Sequence, residues 1–214
     1  MSREIHTSHG NYELIEYEVD ISQEMRDKAL SFAARIKLDD NQFSRLLPAN
    51  LQERTSDQIL EIMKLEIQRT YVGKLGELAF LSLLTERQIP CDTTEMFEIY
   101  EGQQNTDRFD FLTRDGRTVD VKTGFRSNHT RLLVNIEQFN NQPKDFYVGV
   151  KLNALDVPGN NKLIYWDSVQ TAIVKGYAEK DFLARLPFDD FGEGSAKNLR
   201  YNALLSIDRL IALF

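Results

Sequence analysis

The chain has 214 residues, of which 42% are hydrophobic and 28% are charged, and its formal net charge is −7 at pH 7. These proportions are typical of a globular domain and exclude disordered, collagen-like and coiled-coil classes. No apolar run approaches the roughly 18–20 residues that a membrane span requires, and the first residues lack the apolar stretch of a secretory signal. Cys91 is the single cysteine, which excludes an intrachain disulfide and a multi-cysteine zinc site. We therefore expect a reduced, cytoplasmic protein without a membrane partner.

Hydrophobic periodicity predicts an N-terminal strand followed by two helices. Residues 12–19 alternate polar with apolar side chains in the manner of a strand. Ser22 is a typical N-cap for the first helix, which carries apolar side chains at helical spacing. A second helical pattern begins near Ser56, and it either runs through Gly73 or breaks there before Pro90 ends it.

Further along the chain the period changes from helical to alternating. Residues 108–112 and 118–122 both alternate polar with apolar, and the turn sequence Asp115-Gly116 lies between them, which is the strongest hairpin signal in the chain. The later segments expected to form strands are 131–136, 145–151, 163–166 and 171–177, with a short helix over 179–186. A loop is expected over 188–195, whose acids Asp189, Asp190 and Glu193 are either solvated or ligands of a metal ion.

Charge is distributed unevenly along the chain. Residues 108–131 include six basic and three acidic side chains, so this segment has a net charge of +3 while the remainder has −10. Binding to a polyanion draws on clustered lysine and arginine. The acidic chain as a whole therefore predicts no general affinity for nucleic acid, whereas the basic segment predicts local affinity if reactive groups lie within it.

The length of the hairpin loop decides which side chains share a face of the hairpin. A two-residue turn would place Asp110 and Asp120 on opposite faces, because side chains alternate with period two along a strand. A three-residue loop over residues 114–116, with Gly116 left-handed, places Asp110 opposite Asp120. The second register also gathers the apolar side chains on one face, namely Phe109, Phe111, Val119 and Val121. The hydrophobic pattern therefore favours the three-residue loop.

This register predicts a site for a divalent cation. Two carboxylates that face each other at about 5 Å repel by roughly 3 kcal/mol at an effective dielectric near 20, and a cation relieves that repulsion. Hard oxygen ligands suit Mg²⁺, for which Mn²⁺ is a substitute. Lys122, which the same register places opposite Arg108, can then orient or deprotonate a water beside a phosphate. The alternative is a solvated face on which Asp120 and Lys122 form an ordinary ion pair.

These residues resemble a known family. A helix that carries an acid, then Asp110, then Asp-x-Lys at residues 120–122 of a hairpin, is similar to the PD-(D/E)xK superfamily of restriction-endonuclease-like nucleases. The sequence GKLGELAF at residues 73–80 resembles the upstream helix that supplies the family's further acid, and Glu77 matches that acid. Phe109 stands where the family has its name-giving proline.

The resemblance, which covers residues 73–151, implies a single α/β domain with a central mixed sheet flanked by helices. That domain would span residues 1–214, with residues 1–55 as an N-terminal strand–helix extension and residues 152–214 as a C-terminal extension of the core. The implied activity is Mg²⁺-dependent hydrolysis of DNA phosphodiester bonds, as an endonuclease. Because double-strand cleavage needs two active sites, a homodimer is the usual closed assembly.

The resemblance also implies roles for individual residues. The implied catalytic residues are Glu77, Asp110, Asp120 and Lys122. The implied metal ligands are Asp110, Asp120 and the backbone carbonyl of Val121, with Glu77 as a ligand or a supporting acid. The basic residues expected to contact DNA are Arg126, Arg131 and Lys74.

Two features of the upstream helix have a second interpretation. Gly73 and Gly76 each cost about 1 kcal/mol in a helix relative to alanine, so their presence predicts a close approach to another backbone. Glu77 lies three residues after Lys74, and the two side chains can form an intrahelical ion pair worth only tenths of a kcal/mol. The three histidines are too few for an HNH or zinc nuclease. Gln138 lacks the tyrosine four positions later that RecB-like exonucleases of the family carry.

Two rival functions remain open at this point. The first keeps the fold without the chemistry, as a DNA-binding or complex-forming module, and an assay for cleavage with Mg²⁺ separates it from a nuclease. The second is an unrelated protein with a chance hairpin. A structure that separates Glu77 from Asp110 would support this second rival.

Overall fold

The computed structural model describes residues 1–9, 12–38, 55–98, 109–191 and 194–214. The strands in these residues are β1 Ser2–His9, β2 Tyr12–Asp20, β3 Phe111–Leu112, β4 Thr118–Gly124, β5 Arg131–Asn135, β6 Phe146–Asn153, β7 Asp156–Val157, β8 Asn160–Ile164, β9 Thr171–Glu179, β10 Phe188–Asp190 and β11 Ser195–Arg200. The α-helices are α1 Gln23–Leu38, α2 Ser56–Glu86, α3 Ile136–Asn141, α4 Lys180–Arg185 and α5 Ile207–Ile211. Arg108 and Glu193, expected in the hairpin and in the acidic loop, lie outside the described residues.

The central sheet has six strands in the order β1-β2-β9-β6-β4-β3. Strands β4 and β6 are parallel, and every other neighbouring pair in this sheet is antiparallel. A three-stranded sheet β10-β11-β5 and a two-stranded sheet β7-β8 are separate from it. The expectation of a mixed α/β protein, with a mixed sheet flanked by helices, is therefore confirmed. The N-terminal and C-terminal parts of the chain supply β2 and β9, which are interior strands of this sheet.

Both long helices begin where the sequence predicts. The Ser22 hydroxyl accepts a hydrogen bond from the backbone N–H of Met25 at 3.1 Å and caps α1. Thr55 and Gln58 form a reciprocal capping box at the start of α2, which satisfies two backbone donors that a helix end leaves unpaired. Helix α2 runs without a break through both glycines and ends at Glu86, ahead of Pro90. Its length of 31 residues allows it to lie along the sheet and contact both α1 and β4.

The second half of α2 is held against the hairpin by aromatic packing. Phe80 is fully buried, and its ring packs edge-on against the rings of Phe111 at 5.2 Å and Phe214 at 6.0 Å between centroids. A fully buried side chain of this kind contributes roughly 1.5–3 kcal/mol to stability. The packing therefore fixes the helix relative to the first strand of the hairpin.

The hairpin adopts the three-residue loop. The backbone N–H of Thr113 donates to the carbonyl of Arg117 at 2.9 Å, and Gly116 has φ +80°. The ladder pairs Phe111 with Val119 and Leu112 with Thr118. The apolar face is buried at Phe111, Val119 and Val121, and Phe109 is partly buried. The register predicted from the hydrophobic pattern is therefore confirmed from Phe111 to Thr113.

The later part of the chain contains more strand than the sequence pattern predicts. The expected strands appear as β5, β6, β8 and β9, with no boundary shifted by more than three residues. In the segment expected to be a loop, Phe188–Asp190 forms β10, and Asp189 accepts a hydrogen bond from Asn198 of β11 at 2.7 Å. No helix among the residues described here is long and apolar enough to cross a membrane.

Candidate active site

Helix α2 carries two buried charges toward the hairpin. The side chains of Lys74 and Glu77 are only 7% and 11% exposed, and Lys74 Nζ lies 2.7 Å from Glu77 Oε2. The intrahelical pair considered from the sequence is thus present, but it is buried. A buried ion pair loses far more hydration than a surface pair does, so the two groups need further polar neighbours.

Gly76 brings α2 into contact with β4. A Cβ atom on Gly76 would lie 1.9 Å from the hydroxyl oxygen of Thr123, the residue that follows Lys122. The expected close approach is therefore found at Gly76, although its neighbour is a side chain and not a backbone. At Gly73 an added Cβ would meet nothing within 4 Å. Gly76 is thus the position that allows Glu77 to lie beside the second strand of the hairpin.

Asp110 lies immediately before the ladder, where it binds the backbone of the opposite strand. Its N–H donates to the Val119 carbonyl at 3.0 Å, and its Oδ2 accepts from the N–H of Val121 at 2.6 Å. The expected placement of Asp110 within the first strand, directly opposite Asp120, is therefore corrected. The carboxylate substitutes for a backbone acceptor, and this ends the ladder at Phe111. This hydrogen bond holds the Asp110 carboxylate beside Val121, the residue that follows Asp120.

Asp120 and Lys122 form the second half of the cluster. Asp120 is 6% exposed, and Lys122 Nζ lies 2.7 Å from its Oδ2. The same ammonium donates to Oε1 of Gln138 on α3 at 2.9 Å. Helix α3 is itself fixed by Asn135, whose side chain accepts from the first backbone N–H groups of the helix. The role of Gln138 as a partner of Lys122 was missed from the sequence, because no local pattern links residues 16 positions apart.

Burial and the neighbouring charges of the cluster together raise the pKa of Asp110. Removal from water raises the pKa of Asp110 well above its ordinary value of 3.8, and the charges of Glu77 and Asp120 raise it further. The Val121 N–H and the Lys122 ammonium oppose this increase. Glu77 and Asp110 also line the same cavity. The structure therefore brings together Glu77, Asp110, Asp120 and Lys122, and it does not separate Glu77 from Asp110.

A further lysine, which no sequence pattern indicated, faces these acids. Lys144 precedes β6 and is 6% exposed. Burial lowers the pKa of its ammonium, whereas the charges of Asp120 and Asp110 raise it. Lys144 follows a turn sequence, Asn-Gln-Pro, and only the pairing of β4 with β6 brings it close to the site.

A cavity of about 440 Å³ opens beside the acids. Four acids line it, namely Glu77, Asp92, Glu95 and Asp110, together with one basic residue, Arg114. Its apolar lining comes mainly from Met96, Phe109, Phe111, Leu112 and Phe214. Lys122 and Lys144 are not among its lining residues.

The three residues expected to contact DNA have different surroundings. Lys74 is buried and paired with Glu77, so we assign it to the acid cluster and not to an exposed DNA surface. The Arg131 guanidinium donates to the side chain of Asn198. Arg126 is partly buried, with its guanidinium 5.5 Å from the ring centroid of Phe125. Arg126 and Arg131 both lie beyond the carboxyl end of β4.

The carboxylates of the cluster are hard oxygen donors, but in this structure two of them lie next to ammonium groups. In the part of the chain that the structure describes, no three or more His, Cys, Asp or Glu side chains form a ready set of metal ligands. Glu77 and Asp120 face lysines, and Asp110 faces a backbone N–H. Carboxylate and carbonyl oxygens are the ligands that Mg²⁺ prefers. The acids therefore offer oxygen donors of the kind that Mg²⁺ prefers, but in this structure ammonium groups and a backbone N–H supply their counter-charge.

The fold and the site define a mixed α/β protein in which a buried helix and a hairpin bring three acids and a lysine together. No protein-family model, curated protein or solved structure matches the chain in the comparisons. The geometry and charge of the site are therefore the basis on which a function can be inferred.

Proposed function

We propose that the chain is a Mg²⁺-dependent deoxyribonuclease with a restriction-endonuclease-like core, which cleaves DNA phosphodiester bonds as an endonuclease. The observation that carries the proposal is the convergence of one acid from α2 with two acids and a lysine from the hairpin. The order of these groups along the chain is that of the PD-(D/E)xK nucleases, which the motif resembles.

The proposed chemistry assigns each group a separate task. A divalent cation held by Asp110 and Asp120, with the Val121 carbonyl and Glu77 as further oxygen ligands, would stabilise the charge that develops on the reacting phosphate. Lys122 is held beside the acids by Asp120 and Gln138. From this position its ammonium can orient the attacking water and donate a hydrogen bond to a phosphate oxygen.

Electrostatics favours a cation at this site. Lys74 and Lys122 each pair with one carboxylate, and Asp110 remains with a raised pKa. Burial and the neighbouring acids therefore favour a proton on Asp110 in the absence of a metal. Asp110 would release that proton when a divalent cation enters, so metal affinity should increase with pH.

The rival functions differ in what they predict for this cluster. A chance hairpin gives no reason for Glu77 to influence Asp110, yet the charge of Glu77 raises the pKa of that carboxyl group. A non-catalytic binding module gives no reason to keep Lys122 bound to the buried Asp120. The binding module predicts DNA binding without cleavage, so a cleavage assay in Mg²⁺ separates it from a nuclease.

The test is cleavage of supercoiled and linear DNA in Mg²⁺ and in EDTA. Asp120→Ala and Lys122→Ala should each abolish Mg²⁺-dependent cleavage while the circular dichroism spectrum is unchanged. Asp181→Ala and Lys180→Ala are matched controls, because both residues lie in the first turn of α4 outside the cluster. Nicking of the circular substrate identifies an endonuclease. Wild-type cleavage by Asp120→Ala would refute the assignment.

A further inference from the structure

The turn before β6 holds the backbone of Lys144 rigidly. The next residue, Asp145, accepts hydrogen bonds from the N–H and the hydroxyl of Thr118 at 2.8 and 2.9 Å, and its own N–H donates to the Thr118 hydroxyl at 3.0 Å. The carbonyl of Asp145 accepts from the N–H of Lys180 at 3.0 Å. This network ties the turn to the start of β4 and to α4, so the starting point of the Lys144 side chain is fixed.

The same turn places Lys144 over the face of the sheet that carries Asp120. The N–H of Lys144 donates to the hydroxyl of Tyr147 at 2.9 Å. Tyr147 is the register partner of Asp120 in the parallel pair β4–β6. Side chains of register partners point to the same face, and the charge of Asp120 acts on the Tyr147 hydroxyl. Lys144 therefore lies at the edge of the face that bears the candidate site.

The Lys144 side chain is buried, and its ammonium has no counter-ion among the residues that the structure describes. Lys144 is 6% exposed, and no hydrogen bond or ion pair of its ammonium is found in those residues. The ammonium itself reaches solvent at the end of the buried side chain. In contrast, the ammonium groups of Lys74 and Lys122 lie 2.7 Å from carboxylate oxygens. An ammonium that reaches solvent beside the acids and has no carboxylate of its own is available to bind a ligand that supplies negative charge.

We propose that Lys144 is a further catalytic residue, whose ammonium binds a non-bridging oxygen of the phosphate on which the acid cluster acts. This inference rests on the proposed nuclease function and deepens it by adding a second phosphate-binding cation. Lys122 and Lys144 approach Asp120 from different strands, β4 and the start of β6. A phosphate beside Asp120 would then lie between two ammonium groups.

The test compares Lys144→Met with Lys144→Arg in two measurements. DNA affinity is measured across a salt series in Ca²⁺, where binding should persist without cleavage, and the single-turnover cleavage rate is measured in Mg²⁺. Lys144→Met should lower the slope of log K against log [salt] by about 1, because one phosphate contact is lost. It should also slow cleavage by roughly 10²-fold, as expected for the loss of one donor to a developing charge. Lys144→Arg should retain the wild-type slope.

Lys180→Met is the matched control, since Lys180 contacts the same turn but is 40% exposed and lies 3.6 Å from Asp145. It should leave both measurements unchanged. Lys144→Met keeps the buried apolar part of the side chain and removes only the charge, and Lys144→Gln replaces it if it does not fold. An unchanged salt slope for Lys144→Met, whether or not its cleavage slows, would overturn the phosphate contact. If the wild type does not cleave DNA at all, the proposed function fails, while the salt slope still decides whether Lys144 binds phosphate.

Discussion

Asp110 is the residue at which the forces of the site are least balanced. It is removed from water, it lies beside the charges of Glu77 and Asp120, and a single backbone N–H, that of Val121, compensates it directly. The other two acids each have a lysine within 2.7 Å. A strongly perturbed carboxyl group in a cleft is a typical feature of functional sites.

This imbalance predicts how stability depends on pH. Because the folded-state pKa of Asp110 is raised, the folded protein binds this proton more tightly than the unfolded chain does. The resulting stability is complete below the ordinary pKa of 3.8 and is lost as the pH rises through the raised pKa. In EDTA at pH 7, Asp110→Asn should therefore raise Tm, by roughly 2–4 °C for each kcal/mol of relieved repulsion.

Thermal unfolding from pH 3 to pH 8 checks this prediction. Asparagine can still accept the N–H of Val121, so the variant removes charge and keeps the hydrogen bond. The gain in Tm should fade as the pH falls below the ordinary pKa of 3.8 and be nearly lost by pH 3, where the wild-type carboxyl group is mostly protonated in both states. A gain that is equal at pH 3 and pH 7 would show that charge repulsion is not its cause.

At the residue scale, the sequence predicts contacts that depend on local register. The proximity of Asp110 to Asp120 and Lys122 follows from the alternation of side chains along one hairpin. Contacts that depend on distant pairing are not predictable in this way. Lys144 reaches the site through the parallel pair β4–β6, and Gln138 reaches it through the placement of α3.

At the element scale, the packing of α2 on β4 depends on the absence of a side chain at Gly76. Gly76→Ala should destabilise the fold by about 1–3 kcal/mol, as overpacking does, because the new methyl group meets Thr123. Gly73→Ala is the matched control in the same helix. It has open space around it and should stabilise the helix by up to about 1 kcal/mol.

Urea unfolding of the two variants measures these effects. The cost of Gly76→Ala should shrink in a Thr123→Ala background, which removes the hydroxyl oxygen that lies nearest to the added methyl group. Equal stability changes for the two glycine variants would contradict the close contact between α2 and β4.

The sequence predicts elements whose signals are strong and local. The hairpin has a turn sequence between two alternating segments, and α1 and α2 have caps and an apolar periodicity. In contrast, β1 has a single aliphatic side chain, Ile5, and β10 reads Phe-Asp-Asp, so neither has the pattern of a buried strand. These strands form because neighbouring strands pair with them, and that information is not local.

At the scale of the whole molecule, the basic segment 108–131 is divided by β4. Arg117 lies at the turn end of the hairpin, where Asp115 neutralises it at 2.8 Å. Arg126 and Arg131 lie beyond the other end of this seven-residue strand, which is roughly 20 Å long. The arginines beyond the carboxyl end are therefore the candidates to bind the backbone of a DNA duplex on an acidic protein.

This division predicts which arginines govern DNA binding. Arg126→Ala and Arg131→Ala should weaken binding at all sequences, and each should lower the salt slope by about 1. Arg117→Ala should change neither quantity, because its charge is already paired. Anisotropy titrations with labelled duplex DNA in Ca²⁺ measure both. Unchanged slopes for Arg126→Ala and Arg131→Ala would remove these residues from the DNA interface.

The proposed endonuclease activity also predicts how many copies of the chain act together. The described part of one chain contains one such acid cluster, so a double-strand break in a single encounter would need two copies, and a two-fold dimer is the usual closed form. Sedimentation with and without DNA measures the mass. A monomer that still makes double-strand breaks in one encounter would contradict the dimer.

The central claim is that the acids of α2 and the hairpin form a divalent-cation site, and crystals soaked in Mn²⁺ test it most directly. The anomalous difference map should show a peak within about 2.0–2.3 Å of carboxylate oxygens of Asp110 and Asp120, with Lys122 released from Asp120. The same map from Asp120→Ala crystals should lack that peak. A wild-type map without density between the two aspartates, and with Lys122 still bound to Asp120, would contradict the account.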